Sequence, residues 1–164
     1  LVNTKEDCEK FIQSCFYAPD GIRSFGPTLA GINDRKYFSN SKKNVTTIIM
    51  LETKESVTNL DKILRLKLLD IIYVGPFDLS ISYGKSPEEI FENREMLKIY
   101  KFILNTVKKA KKIAAIHCIS AETATYFLKM GFDFVTLSTD LALLKKSVWN
   151  EQDKVKNFLK NTKN

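Results

Sequence analysis

Two acidic residues each follow an apolar run: IIMLETKESV carries Glu52, and IIYVGPFDLSISYG carries Asp78. Each run reads as a buried strand of a parallel sheet, so each carboxylate falls where a strand gives way to its loop. In a (β/α) barrel that position is the active-site rim. Neighbouring parallel strands lie about 5 Å apart, and magnesium takes oxygen ligands at roughly 2.1 Å. Two carboxylates at adjacent strand tips can therefore share one divalent cation, and the pair is a candidate metal site.

Each acid also has a plainer account. Glu52 follows a strand as a surface acid can, or favours the dipole of the next helix, and Asp78 shortly after Gly-Pro is ordinary turn chemistry. Alternation places Met50 and Glu52 on one face of the strand and Leu51 on the other. If residue 50 faces a barrel interior, so does the carboxylate, and an inward charge needs a partner. His117 is the only histidine. It closes the apolar run IAAIHCI and faces the same rim, where it could shuttle a proton; a partly buried structural histidine is the favoured reading. Ser80 and Ser82 read as turn residues.

The elements that position these residues follow from periodicity and punctuation. TKEDCEKFIQSCF, from Thr4 to about Phe16, has a capping residue, early acids and helical apolar spacing. YAPDGIRSFGPTLAGIND reads as a long loop of the kind that carries function, with a short helix near Arg35 to Ser39 and a polar spacer SNSKKN. The strand VTTIIML ends at Glu52, Lys54 to Leu69 forms an amphipathic helix, and the strand DIIYVG closes at Gly75-Pro76. FDLSISYGKSPEE is a loop leading into a long helix from about Glu88 to Lys112, with a break near Asn93. The strand IAAIHCI, a helix from Ala121 to Met130 ended by Gly131, the strand FDFVTLS, a helix from Asp140 to Ser147 and an amphipathic tail helix from Glu151 complete the chain. Four strand–helix repeats with near-continuous apolar strands require a parallel sheet covered by helices, which a doubly wound sheet and a barrel both satisfy.

At 164 residues one domain, or part of one, is expected. The net charge of +7 comes from dispersed lysine with little arginine, which is a solvated surface rather than a nucleic-acid footprint. No apolar run approaches the roughly 20 residues that span a bilayer, so neither nucleic acid nor membrane is expected as a partner. Cys8, Cys15 and Cys118 show no CxxC spacing, and their odd number argues against a disulfide framework and for a reducing cytoplasm. Cys8 and Cys15, seven apart on the first helix, read as buried small hydrophobes.

Three segments carry a family resemblance. YVGPFDLSISYG resembles the GPxDLSxSxG signature of the HpcH/HpaI aldolases, metal-dependent pyruvate aldolases related to citrate lyase β-subunits. MLETKESVTNLDKIL is similar to their Q(I)ETxEAxxNLxxIL segment, and YAPDGIRSFGP to their YPPxGxRGxGP loop. TYFLKMGFDFVTLSTDLALL is similar to the end of the family's eighth strand. The resemblance implies a partial TIM (β/α)8 barrel, roughly strands five to eight with their helices, in a single partial domain over 1–164.

It also implies a class II aldolase that cleaves a 2-keto-3-deoxy or 4-hydroxy-2-oxo acid to pyruvate and an aldehyde. Mg²⁺ or Mn²⁺, held at Glu52 and Asp78, would chelate the keto acid and stabilise the enolate as a Lewis acid, so that no Schiff-base lysine is needed. Amides around Pro76 to Asp78 would receive the pyruvate carboxylate, with Phe77 at a substrate-contact position. The loop from Gly21 to Gly26 would lie near the mouth, with Arg23 bracing it. The family's substrate-binding glutamine corresponds to Met50, which cannot donate a hydrogen bond, and two of its glycines correspond to Lys111 and Ala115. Its histidine base and clamping arginine come from earlier strands than this chain contains. A missing N-terminal half, or a homo-oligomer, is expected to complete the protein. The rival readings are a non-catalytic half-barrel that binds a partner or metabolite, citrate-lyase-like or citrate-forming chemistry, and an unrelated doubly wound sheet in which the two acids lie apart.

Overall fold

A computed structural model describes residues 1–88 and 90–162. Helix α1 (Lys5–Cys15) starts where the sequence places it. Thr4 Oγ1 accepts from the Asp7 amide at 3.1 Å, and Asp7 Oδ2 accepts from the Thr4 amide at 2.9 Å, a reciprocal cap that satisfies two otherwise orphaned donors. Cys8 is buried in the core as a free thiol and Cys15 half-buried. After α1 the chain folds back tightly over Gly21, where a Cβ would meet the Gln13 and Phe16 carbonyl oxygens at 2.3 and 2.4 Å. Arg23 braces this segment as expected: its Nη2 donates to Tyr37 Oη at 3.2 Å and its guanidinium stands 4.9 Å from the Tyr17 ring centre.

The remaining elements, in order, are α2 (Thr28–Asn33), α3 (Tyr37–Asn44), β1 (Ile48–Leu51), α4 (Lys54–Thr58), α5 (Leu60–Ile63), β2 (Ile71–Val74), α6 (Pro76–Ser82), α7 (Arg94–Lys109), β3 (Ile113–Cys118), α8 (Ala121–Met130), β4 (Phe134–Leu137) and α9 (Asp140–Asn161). The four strands form one parallel sheet in the order β1-β2-β3-β4. A doubly wound sheet reverses its strand order at a switch point. Among the described residues the order is sequential, with no such switch point.

Pleating divides the sheet into two unlike faces. Ile49, Leu51, Ile72, Val74, Ala114, Ile116 and Cys118 are buried with Val57, Leu60, Met96, Tyr100, Ile103 and Phe127 from the helices. Each such aliphatic side chain contributes about 1.5–3 kcal/mol by leaving water. On the opposite face the register aligns Met50, Tyr73, Ala115 and Phe134 in one rung. Along this face Ile48, Met50, Ile113 and Phe134 are exposed by 39–44%. Helices cover the first face, and no described element covers the second in the same way.

Several boundaries differ from the sequence reading. Residues 28–33 form α2 inside the stretch read as loop, and the spacer SNSKKN is helical as part of α3. The helix expected from Lys54 to Leu69 breaks at Asn59, whose side chain donates to Asn3 O at 3.0 Å. The loop after Gly75 is the short helix α6, with Pro76 at its first position, where a missing N–H costs nothing. The long helix expected from Glu88 starts at Arg94 under an Asn93 cap and ends at Lys109; Glu89 of that expectation lies outside the described residues. The two C-terminal helices are one, α9. Lys111 sits at φ +57°, the left-handed region that favours the glycine of the family pattern. Among the described residues no helix is long and apolar enough to cross a membrane.

Candidate metal and keto-acid site

Glu52 follows β1 directly and stands level with Gly75, which follows β2, since Leu51 pairs with Val74 and the Gly75 amide donates to Leu51 O at 3.1 Å. A Cβ on Gly75 would meet Glu52 Cγ at 2.8 Å, Glu52 Oε1 at 2.9 Å and Met50 Cε at 3.1 Å. The Glu52 carboxylate therefore lies over the bare Gly75 backbone with Met50 beside it, all on the face that helices leave open. Asp78 belongs to the first turn of α6, so it is carried by a helix that follows β2 rather than by the strand tip itself.

The two acids meet. Partial burial, then the charge of Asp78, raise the Glu52 carboxyl above its ordinary value, and no hydrogen bond contributes to offset them. Among the described residues no ion pair engages either carboxylate. Two like charges held together without a cation are electrostatically unfavourable, and a divalent ion between them would reverse the sign of the interaction. Among the described residues no group of three or more histidine, cysteine or acidic side chains converges. The residues thus fit a cation of the magnesium type, which is commonly held by one or two carboxylates and completes its shell with water and substrate oxygens. They do not fit a closed, all-protein cage.

Met50 and Phe77 bracket the acids. Met50 offers an apolar wall beside Glu52, in the place where the family pattern has a hydrogen-bonding glutamine. Phe77 is half-buried next to Asp78, its ring 6.4 Å from that of His117 and tilted by 57°. His117 is half-buried on the same face and paired in register with Thr136. Its Nδ1 lies 2.9 Å from Tyr73 Oη and 2.8 Å from Thr136 Oγ1, and those two hydroxyls are 2.7 Å apart. Tyr73 and Thr136 were not singled out from the sequence. Their signal was parity with His117 on adjacent strands, which needs the register before it can be read. Ser80 and Ser82 are structural: Ser80 Oγ donates to Phe77 O at 2.7 Å, and Ser82 Oγ accepts from the Lys54 amide at 2.8 Å.

Beyond Phe77 and His117 opens a cavity of about 530 Å³ between the loops that follow β3 and β4, lined in part by Ser120, Ser138, Thr139 and Lys146. That volume is within the range of small-molecule sites.

A parallel sheet with a helix after each strand, and with unpaired acids and a cavity at the carboxyl ends of the strands, defines an α/β protein. The family model for HpcH/HpaI aldolase/citrate lyase matches residues 1–147, and the chain belongs to that family. It is 32% identical over 145 residues to a hydroxypyruvate/pyruvate aldolase of Rhizorhabdus wittichii, covering 88% of this chain and 58% of that protein. To a 5-keto-4-deoxy-D-glucarate aldolase of Shigella boydii it is 28% identical over 161 residues, covering 95% and 61%. The crystal structure of an HpcH/HpaI aldolase/citrate lyase family protein from Burkholderia cenocepacia superposes with a TM-score of 0.85 at 20% identity, over 95% of this chain and 63% of that one. The chain thus spans 58–61% of the length of these curated relatives.

Proposed function

We propose that this chain supplies the metal and keto-acid half of a class II pyruvate aldolase. The observation that carries the reading is the Glu52 carboxylate, unpaired over the bare Gly75 backbone, with Asp78 near enough for its charge to act on it. In this account the sheet provides strands five to eight of a (β/α)8 barrel. The apolar side chains left exposed on its open face, Ile48, Met50, Ile113 and Phe134, then meet the remaining strands, whether from the same polypeptide or from a partner. An aqueous surface gives such a row of side chains no comparable stabilisation.

Glu52 and Asp78 would hold Mg²⁺ or Mn²⁺. When bound, the cation supplies Lewis-acid stabilisation of the negative charge that develops on a chelated 2-keto acid. The chain's own residues set the geometry around it. Gly75, lacking a Cβ, leaves the room in which the Glu52 carboxylate lies against the backbone. Met50 offers contact without a hydrogen bond, and Phe77 walls the other side and excludes water. For a 2-keto-3-deoxy or 4-hydroxy-2-oxo acid the bond between C3 and C4 breaks. The C4 hydroxyl gives up its proton as the aldehyde forms, and C3 takes one up to become the methyl of pyruvate. Two relatives, a hydroxypyruvate/pyruvate aldolase and a 5-keto-4-deoxy-D-glucarate aldolase, support this substrate class.

The test is exchange of the pyruvate methyl protons with deuterated solvent in the complete protein. Metal-dependent exchange that disappears in Asp78→Ala with the fold intact is the expected result. Exchange that survives the substitution contradicts the assignment.

A further inference from the structure

We propose that His117, held in place by Tyr73 and Thr136, is a specificity-determining residue that hydrogen-bonds a hydroxyl on the aldehyde portion of the substrate in the cavity beyond Phe77. The inference rests on the aldolase reading and extends it to the part of the site that the metal does not reach.

The register sets the distances. Glu52, Gly75 and His117 stand level on three successive strands, so His117 is two strand spacings, roughly 10 Å, from Glu52. That is too far to touch a keto acid held at the carboxylates, but it suits the distal end of a longer substrate. Gly75 lies between the two in the register. Phe77 borders both regions, beside Asp78 in sequence and against His117 in space, and the cavity of about 530 Å³ continues from there between the β3–α8 and β4–α9 loops.

The hydrogen bonds set the polarity. Tyr73 Oη, Thr136 Oγ1 and His117 Nδ1 form a closed triangle with sides of 2.7–2.9 Å. When Nδ1 accepts, both hydroxyl protons are used within the cluster, making two of its three contacts, and the ring proton then sits on Nε2. Among the described residues no hydrogen bond involves Nε2, and His117 is one of the residues lining the cavity. A ring N–H on a residue held by two half-buried hydroxyls and lining a cavity selects an acceptor such as a hydroxyl oxygen, and disfavours an apolar group in its place.

The test compares aldol addition of pyruvate to glyceraldehyde and to propionaldehyde, with methyl-proton exchange of pyruvate measured on the same preparations. His117→Leu should keep exchange within about twofold. It should lower kcat/KM for glyceraldehyde by about tenfold, the usual cost of one lost hydrogen bond, and leave propionaldehyde unchanged. His117→Gln, whose amide N–H can reach the Nε2 position, should restore part of the preference, and Thr136→Val should lose part of it. The ¹⁵N signals of the imidazole, assigned by their absence in His117→Gln, should report the Nε2–H tautomer. Normal exchange with an unchanged preference in His117→Leu, or an Nδ1–H tautomer, overturns the inference while leaving the aldolase reading standing. Absence of exchange in the unsubstituted protein brings down the aldolase reading and this assignment with it.

Discussion

The two ends of the same sheet treat carboxylates in opposite ways. At the amino ends of the strands Asp70 and Asp133 are stitched into the fold. Asp70 Oδ2 accepts from the Thr47 amide at 2.8 Å, Thr47 Oγ1 accepts from the Asp70 amide at 3.0 Å, and Asp133 accepts from the Ala114 amide at 2.9 Å and from Lys108. At the carboxyl ends Glu52 and Asp78 have no such partners and oppose each other. Acids at the first end lock strand to strand. Those at the second carry no such bonds, and the fold tolerates their mutual repulsion because it is partly solvated. In the proposed reading the same residue types serve stability at one end and a cation at the other, and hydrogen-bond satisfaction differs between them.

The largest expected effect is at the carboxyl end: Asp78→Ala should lower metal-dependent exchange on the order of 10³-fold, since Lewis-acid stabilisation is worth several kcal/mol. Thermal unfolding without metal should barely move. A parallel loss of Tm and activity would erase the distinction between the two ends. Gly75→Ala sharpens it without touching a ligand. The new Cβ would fall within 2.9 Å of the Glu52 side chain and push the carboxylate aside, so titration with Mn²⁺ should show affinity lowered by roughly 10–100-fold. At the amino end Thr47→Ala removes the buried hydroxyl between Leu68 O and the Asp70 amide. Denaturant unfolding should show a loss of about 1–3 kcal/mol, with metal affinity unchanged.

The smallest effects are in the pH dependence of Tm, and they have opposite signs. For Asp133, burial alone would raise the carboxyl, but the hydrogen bonds from Lys108 and the Ala114 amide carry it below its ordinary value. Its contribution is therefore present above about pH 4 and disappears as pH falls through the lowered value. Asp133→Asn should cost stability at neutral pH and nothing in acid. Glu52 is raised, so the folded state favours its protonated form, and stability is lost as pH climbs from the ordinary carboxylate value through the raised one. Glu52→Gln should raise the Tm of the metal-free protein at neutral pH, and the gain should vanish in acid. Melting curves across pH 3 to 7 on the order of a unit apart resolve both.

Much of this arrangement was legible in the sequence because it is local. An apolar run that stops at Glu52, another at Gly75-Pro76, and alternation along IIML suffice to name two strands, their order and the shared face of Met50 and Glu52. What escaped depended on contacts far along the chain or on weak punctuation. The break at Asn59 is fixed by a bond to Asn3, which no local window contains. Gly-Pro-Phe-Asp has the composition of a turn, yet proline at the first helical position makes it the start of α6. The stretch from Ser147 to Asn150 looked like a gap between helices. It contains neither glycine nor proline, and Lys145 packs over Trp149 at 4.4 Å across it, as residues four apart on a continuous helix do. The triangle around His117 joins three strands and needs the register before any of its members stands out. The carboxylates at the amino ends precede their apolar runs rather than follow them, but that they are bonded into the fold shows only in their hydrogen bonds.

The central claim is that Glu52 and Asp78 together bind one divalent cation, and Mn²⁺ binding followed by electron paramagnetic resonance tests it most directly. The complete protein should bind Mn²⁺ with a signal that changes on addition of pyruvate, and both Glu52→Gln and Asp78→Asn should abolish binding while their circular dichroism stays unchanged. Mn²⁺ bound equally well by either folded variant, or a signal indifferent to pyruvate, would contradict the account.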